Sequence, residues 1–316
     1  MSRVVVLGAG AIGSLFGARL ARAGEAVLLV GRPAHVEAIR ARGITIEGVG
    51  PDQLSVEAAT SLQPGSSADV VLLTVKSFDL RSAASLLARA LPPAPTALLG
   101  NGLGIEEIAG RELAAGGWAE PAREIVRAVH TVPATLLGPG RVRASGTGEV
   151  VLPDPATAGD ARAAVMTVVE LFTRAGFEVR TSRRFELELW RKAAVNAAIN
   201  PVTATLGLPN GALRDGPPRA AAERLLAEAV EVAQRSGIPL ELATARADLE
   251  RVVRATAENR SSMLQDVERG RPTEVDAISG ELLRRGAALG LELPATHRAV
   301  EEVLRTVRGR TEPAQR

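Results

Sequence analysis

The sequence predicts an α/β domain built on a parallel sheet, followed by an all-α domain. Three observations carry that prediction. Val4-Val5-Val6-Leu7 is an unbroken apolar run that passes at once into Gly8-Ala9-Gly10-Ala11-Ile12-Gly13 and then into an apolar-periodic helix. A short run that is apolar on both faces suits a strand buried in a parallel sheet. Apolar runs and helical segments then alternate as far as Arg180, as in a doubly wound sheet. From Arg183 the strand signals stop and only helix-period segments follow. The expected boundary therefore lies between residues 182 and 183.

The G-x-G-x-x-G string stands between a strand and a helix at the start of a β-α-β unit, the context in which it binds a dinucleotide. Gly8 makes the turn, Gly10 lets the backbone approach a pyrophosphate, and Gly13 permits close helix–strand packing. Ala9, Ala11 and Ile12 complete the loop, and the helix N-terminus favours the phosphate charge. The helix runs through Ala23 to Gly24, and residues 26–30 form the second strand. That strand ends in Gly31-Arg32 rather than in the Asp or Glu that holds the ribose of NAD. A guanidinium suits a 2′-phosphate, so NADPH/NADP is the expected cofactor.

Residues 44–47 and 54–57 read as short strands, and 70–75 as a central strand that delivers Lys76 to its C-terminal end. Residues 96–99 lead to Asn101-Gly102. Open α/β sheets bind ligands at the carboxyl ends of their strands, which places Lys76 and Asn101 beside the cofactor. Residues 125–132, 142–144 and 149–152 read as further strands, expected antiparallel because short turns join them. A helix over 160–174 and a strand over 177–180 close a Rossmann-type dinucleotide-binding domain, residues 1–182.

In the helical domain, residues 183–316, helices are expected over 185–199, 219–236, 241–257, 274–289 and 294–307. Breaks fall at Pro201, Gly216-Pro217-Pro218, Gly237-Ile238-Pro239 and around Gly290. The first helix carries the chemistry. From Leu189 to Ile199 alanine, valine and isoleucine cover almost every face, as on a buried helix. Yet Lys192, Asn196 and Asn200 recur every fourth residue and share one face. Polar groups on such a helix need partners or a wet wall. Pro201 is expected to end the helix at Asn200.

Composition sharpens this reading. Of the 38 basic residues only Lys76 and Lys192 are lysines, and the asparagines number five: Asn101, Asn196, Asn200, Asn210 and Asn259. The bias that put arginine at every other basic position has spared these two lysines. Arginine keeps its proton in proteins, whereas lysine can release one. Lys192 thus reads as a proton donor, and the neighbouring asparagines as ligands for a molecule rich in oxygen.

The remaining composition bounds the partners. A chain of 316 residues with 46% hydrophobic and 23% charged residues is long enough for two domains with a sizeable core. A net charge of +2 argues against nucleic acid. There is no run of roughly eighteen apolar residues, so no membrane span is expected. With the first strand begun by Val4, no signal peptide is expected either, and the protein reads as cytoplasmic. The absence of cysteine removes disulfides and thiol nucleophiles, and the absence of tyrosine removes the tyrosine acid of short-chain dehydrogenases. His35, His130 and His297 lie too far apart for metal-ligand spacing, so no metal is expected.

Several strings together resemble the ketopantoate reductase family over nearly the whole chain. They are Gly8 to Gly13, Arg32, Thr74-Val75-Lys76, Asn101-Gly102, Trp190-Arg191-Lys192 with Asn196 and Asn200-Pro201, and Pro209-Asn210-Gly211. The most specific is Asn259-Arg260-Ser261-Ser262-Met263-Leu264-Gln265-Asp266 followed by Thr273-Glu274-Val275-Asp276. The resemblance implies NADPH-dependent reduction of 2-dehydropantoate to (R)-pantoate, on the route to pantothenate and coenzyme A. It implies Lys192 as proton donor, with Asn196, Asn200, Asn210, Asn259 and Ser262 lining the substrate. Asn101 would touch cofactor and substrate, while Lys76, Arg32, Glu274 and the backbone of Ala134 would serve the cofactor. The implied partner is a small 2-oxo acid, and the implied assembly a monomer or homodimer. Gly100 stands where the family has His or Gln, and Pro133 where it has a small or polar residue. These departures bear on substrate identity more than on reaction type.

Four other readings stay in view. A reductase of another 2-oxo acid would share the same lysine. A β-hydroxyacid dehydrogenase also uses Lys-x-x-x-Asn, but with glycines before the lysine, which are absent here. A dehydrogenase with His297 as acid would need a carboxylate partner that the sequence does not place near this late helix, and an NADP-sensing protein without turnover leaves the retention of Lys192 unexplained.

Overall fold

The apolar runs of the N-terminal half pair in parallel. The computed structural model describes residues 1–48 and 52–311. The chain divides into two compact units, Met1–Gly100 with Ile105–Phe185, and Asn101–Gly104 with Glu186–Arg316. In chain order the first unit contains β1 (Arg3–Leu7), α1 (Ala11–Arg22), β2 (Ala26–Val30), α2 (Pro33–Arg42), β3 (Ile44–Glu47), β4 (Asp52–Leu54), β5 (Glu57–Ala59) and β6 (Val70–Leu73). It continues with α3 (Leu80–Ala90), β7 (Thr96–Leu98), α4 (Ile105–Ala115), β8 (Ile125–Arg127), β9 (Val129–His130), β10 (Ala134–Gly138), β11 (Arg141–Ala144), β12 (Glu149–Pro153), α5 (Arg162–Arg174) and β13 (Glu178–Ser182).

Among the described residues a six-stranded, wholly parallel sheet has the order β5-β2-β1-β6-β7-β8. The chain winds outward from β1 to β5 and then returns to β6, so the order reverses beside β1. Alternate residues of β1 serve the two faces. Val4 and Val6 pack with Phe16 of α1 and Val168 and Phe172 of α5. Val5 and Leu7 pack with Leu80 and Leu87 of α3 and Leu113 of α4. Both faces are covered, which is why β1 and β6 are apolar without a break. Each such side chain contributes roughly 1.5–3 kcal/mol by leaving water. Two smaller sheets, ordered β10-β11-β3-β4 and β13-β12-β9, complete the unit.

Beyond shifts of one or two residues at other strand ends, the strands differ from the sequence reading in four places. Residues 54–57 are not one strand, since Asp52–Leu54 pairs with β3 and Glu57–Ala59 with β2. Residues 70–75 are strand only over Val70–Leu73. Residues 125–132 split between two sheets, and Ile125–Arg127 pairs with β7 in parallel rather than antiparallel. Ala134–Gly138 is a strand that the sequence reading missed, paired antiparallel with β11.

The second unit is helical, with no strand among its described residues. Its elements are α6 (Phe185–Leu206), α7 (Gly216–Arg235), α8 (Leu242–Ala255), α9 (Ser262–Glu268), α10 (Glu281–Ala288) and α11 (Pro294–Thr311). A 3₁₀ turn covers Asn210–Arg214 and a π-helical turn Asp276–Gly280. Two expectations about proline fail here. The helix does not end at Asn200 but continues through Pro201 to Leu206. Pro201 removes one backbone donor, yet Val202, Thr203 and Ala204 are buried beyond it. Burial and a hydrogen bond from Thr203 Oγ1 to the Ile199 carbonyl (2.9 Å) outweigh the missing bond. Gly216-Pro217-Pro218 starts α7 rather than breaking the chain before it, because proline in a first turn has no partner to lose.

Candidate active site

The glycine turn of the first unit is held from three sides. Gly8 has φ +112°, and a Cβ there would stand 2.6 Å from the Val75 backbone nitrogen. Thr74 Oγ1 donates to the Gly8 carbonyl (2.8 Å), and a Cβ on Gly13 would collide with that same carbonyl and hydroxyl. Gly10 is different: a Cβ there would find only the Gly8 carbonyl oxygen, 3.9 Å away. The protein itself does not require a glycine at that position, which leaves open space for a ligand. Gly10 caps α1 without a side-chain hydrogen bond, so the first N–H groups of the helix keep capacity for an anion.

Arg32 caps α2, is exposed, and has no carboxylate partner among the described residues. The residues of this turn fit a dinucleotide carrying a 2′-phosphate. Ala9, Ala11 and Ile12 complete the loop at the end of β1, Lys76 follows β6 beside it, and Ala134 opens β10.

Asn101, read from the sequence as part of the first domain, packs with the second unit together with Gly102 to Gly104. Its Nδ2 donates to Glu274 Oε2 (3.3 Å), and Glu274 is 4% exposed. Within the first unit, buried Arg127 donates through Nη1 to the carbonyls of Leu98 (3.1 Å) and Gly100 (2.8 Å), and His130 Nε2 bonds the Leu99 carbonyl. These two residues fix the strand end that leads to Asn101. The sequence reading missed Arg127, which is indistinguishable there from the many surface arginines.

On α6 the stripe is present. Lys192 and Asn196 are half-buried, and Asn200 is 6% exposed. Among the described residues neither the Asn196 nor the Asn200 amide makes a hydrogen bond to the protein, and neither is sealed from solvent. Both are therefore ready for a ligand. Ser262 opens α9 and is exposed. Its place is set by a relay in which the Leu264 N–H donates to Ser261 Oγ (3.1 Å) and Ser261 Oγ meets Thr203 Oγ1 of α6 (2.7 Å). Since Thr203 donates onward to Ile199, the shared proton is that of Ser261. Asn210 and Asn259 are joined through backbone, with Asn210 N–H donating to the Asn259 carbonyl (2.9 Å). The Asn210 Nδ2 is taken by Thr256 Oγ1 (2.9 Å), so this side chain first of all ties the 3₁₀ turn to the end of α8.

Arg191, next to the lysine, grips Asp248 of α8 in a bidentate pair (2.7 and 2.8 Å), and Arg251 adds a third bond. Burial alone would raise the Asp248 carboxyl, but the two guanidinium partners hold it below the usual carboxylate range. The arginines left behind are partly exposed and Arg191 keeps Glu188 within 3.6 Å, so solvent screening holds the loss to on the order of 1 kcal/mol. Asp248→Asn is expected to lower the melting temperature at neutral pH. A depressed folded pKa means the pair contributes fully above 3.8 and is lost as pH falls through the folded value. The gap between wild type and variant should therefore shrink below that pH. A gap constant from neutral to acid would show that the charge is not what matters.

A glycine turn over a parallel sheet, joined to a helical unit bearing a lysine and reachable amides, has the makeup of a nicotinamide-dependent dehydrogenase. The comparisons with known proteins narrow the class. Residues 4–157 match the family model described as Ketopantoate reductase PanE/ApbA, and residues 184–307 match Ketopantoate reductase PanE/ApbA C terminal. The chain is 35% identical to a 2-dehydropantoate 2-reductase of Pyrococcus horikoshii, over 92% of this chain and 93% of that protein. It is similar to a crystal structure of a PanE/ApbA family ketopantoate reductase from Ralstonia eutropha JMP134, with TM-score 0.84 and 33% identity over 98% of this chain and 100% of that one. D-mandelate dehydrogenase with NADH and anilino(oxo)acetate overlays with TM-score 0.89 at 24% identity, covering 97% of this chain and 99% of that one; this last is a likeness of fold. The chain belongs to the ketopantoate reductase family. No helix of the described residues is long and apolar enough to cross a membrane, and no cluster among them could hold a metal.

Proposed function

We propose that the chain catalyses the NADPH-dependent reduction of 2-dehydropantoate to (R)-pantoate, with residues 1–182 serving the cofactor and 183–316 the substrate. The observation that carries this reading is the α6 stripe. One of only two lysines stands one turn from Asn196 and two from Asn200, whose amides have no partner among the described residues. When bound, NADPH supplies the hydride for the 2-oxo carbon. Gly8 to Gly13 and the N-terminus of α1 take its pyrophosphate, Arg32 its 2′-phosphate, and Lys76 and Ala134 lie along the same edge. Lys192 places its ammonium against the 2-oxo oxygen, stabilises the alkoxide and gives it a proton. Asn196, Asn200 and Ser262 orient the substrate. Asn210 and Asn259 shape the neighbouring wall, and Asn101 with Glu274 completes the polar set.

The test is consumption of NADPH absorbance on addition of 2-dehydropantoate, compared with other 2-oxo acids and with NADH. A chain that binds NADPH but turns over no 2-oxo acid would defeat the reading. Arg32→Ala should raise the KM for NADPH by roughly 10- to 100-fold, since a charge-assisted bond is worth about 1.5–3 kcal/mol. NADH should change little. Equal loss for both nucleotides would make Arg32 a structural residue.

A further inference from the structure

The turn that carries Arg32 is tied to the glycine turn through a buried histidine. His35 lies in the first helical turn of α2 and is 5% exposed. Its Nδ1 accepts from the Gly140 backbone N–H (3.0 Å), and its Nε2 meets Ser14 Oγ (2.9 Å). A backbone N–H can only donate, so Nδ1 is unprotonated. The neutral ring then carries its proton on Nε2 and donates to Ser14. Burial pushes the imidazole below the ordinary histidine range, in keeping with the neutral form.

Each partner belongs to a different part of the cofactor end. Ser14 is fully buried in the first turns of α1, and its N–H bonds the carbonyl of Gly10, the residue with open space over it. Gly140 sits at φ +75° in the turn between β10 and β11 and packs on Ala38 of α2. The His35 backbone is fixed as well, because its N–H and that of Val36 both donate to the Arg32 carbonyl (3.1 Å each). His35 is thus anchored at its main chain and at both ring nitrogens, three residues after the guanidinium.

We propose that His35 is a positioning residue for cofactor discrimination, clamping the turn capped by Arg32 to the first turns of α1 so that the guanidinium stands where a 2′-phosphate meets it. The proposal rests on the reading that this end of the sheet binds NADPH. Nothing in it requires His35 to touch the nucleotide. The expected signature is a loss specific to the 2′-phosphate and dependent on Arg32.

The experiment is a double-mutant cycle, read by fluorescence titration of NADPH and NADH onto the full chain, with wild type, R32A, H35Q and the double variant. H35Q is expected to weaken NADPH by roughly tenfold and NADH by less than about twofold, in the range of coupling between neighbouring residues. In the R32A background the same substitution should change NADPH by less than about twofold, because the positioned group is gone. Ser14→Ala deletes only the hydroxyl and should reproduce the result if H35Q fails to fold. Equal weakening of both nucleotides, or the same NADPH loss with and without Arg32, overturns the proposal and leaves His35 as a packing residue. A wild type that binds both nucleotides alike overturns the cofactor reading and this proposal together, and that titration is read before any variant.

Discussion

Lys192→Arg is expected to lower kcat by roughly 10²–10⁴-fold, the range for loss of a general acid. The substitution keeps a positive charge on the same face of α6, one turn before Asn196. It removes the proton that can be given up, because guanidinium holds its own. It also replaces a compact ammonium with a planar fork that cannot sit in the same place. NADPH binding, followed by fluorescence, should survive, since the cofactor residues proposed above lie on other elements. Lys192→Ala should lose the charge too and fall at least as far. Turnover near wild type in the arginine variant would mean that Lys192 acts only as an electrostatic anchor, and that the proton comes from elsewhere, with a water held by buried Glu274 the next candidate.

Parts of the candidate site are legible in the sequence because their cause is local. Gly8 to Gly13 needs only the strand before it and the helix after it. The α6 stripe needs only a four-residue spacing and a composition in which lysine is scarce. What the sequence hides is set by residues far along the chain. Pro201 reads as a helix end, and only the burial of Val202, Thr203 and Ala204 keeps the helix going. Residues 125–132 read as one strand because their apolar character does not reveal that Ile125–Arg127 joins β7 while Val129–His130 joins β12. The short α9 is capped by Ser261, whose partner Thr203 is 58 residues away. His35 looks like an ordinary helix residue until its ring is seen to bond Ser14, 21 residues before it, and Gly140, 105 residues after it. The bond from the Asn101 amide to Glu274 spans 173 residues, which no local pattern reveals.

The substrate should be read largely through its terminal hydroxyl. A bare 2-oxo acid offers a carboxylate and a ketone, which a lysine and one or two amides would satisfy. Here Asn196, Asn200 and Ser262 all have side chains with no protein partner among the described residues, and the two asparagines follow Lys192 at four-residue spacing on α6. Part of that capacity is in excess unless the substrate brings a further polar group. 2-Dehydropantoate does, and 3,3-dimethyl-2-oxobutanoate differs from it by that hydroxyl alone. A site built to bond a hydroxyl rejects the analogue lacking it by about 10⁴–10⁵, because its own polar groups are left unpaired. An apolar pocket discriminates by only about 10–200-fold per methylene. 2-Dehydropantoate is therefore expected to exceed the analogue by at least about a thousandfold in kcat/KM. Asn200 is the most buried amide of the stripe, where an unpaired group costs most, so Asn200→Ala should narrow the gap by slowing the good substrate more than the poor one. Kinetics of both substrates on wild type and variant decide the matter. Rates within about tenfold of each other would make this a general 2-oxo acid reductase, and would direct attention to Gly100 and Pro133, where the chain departs from the family.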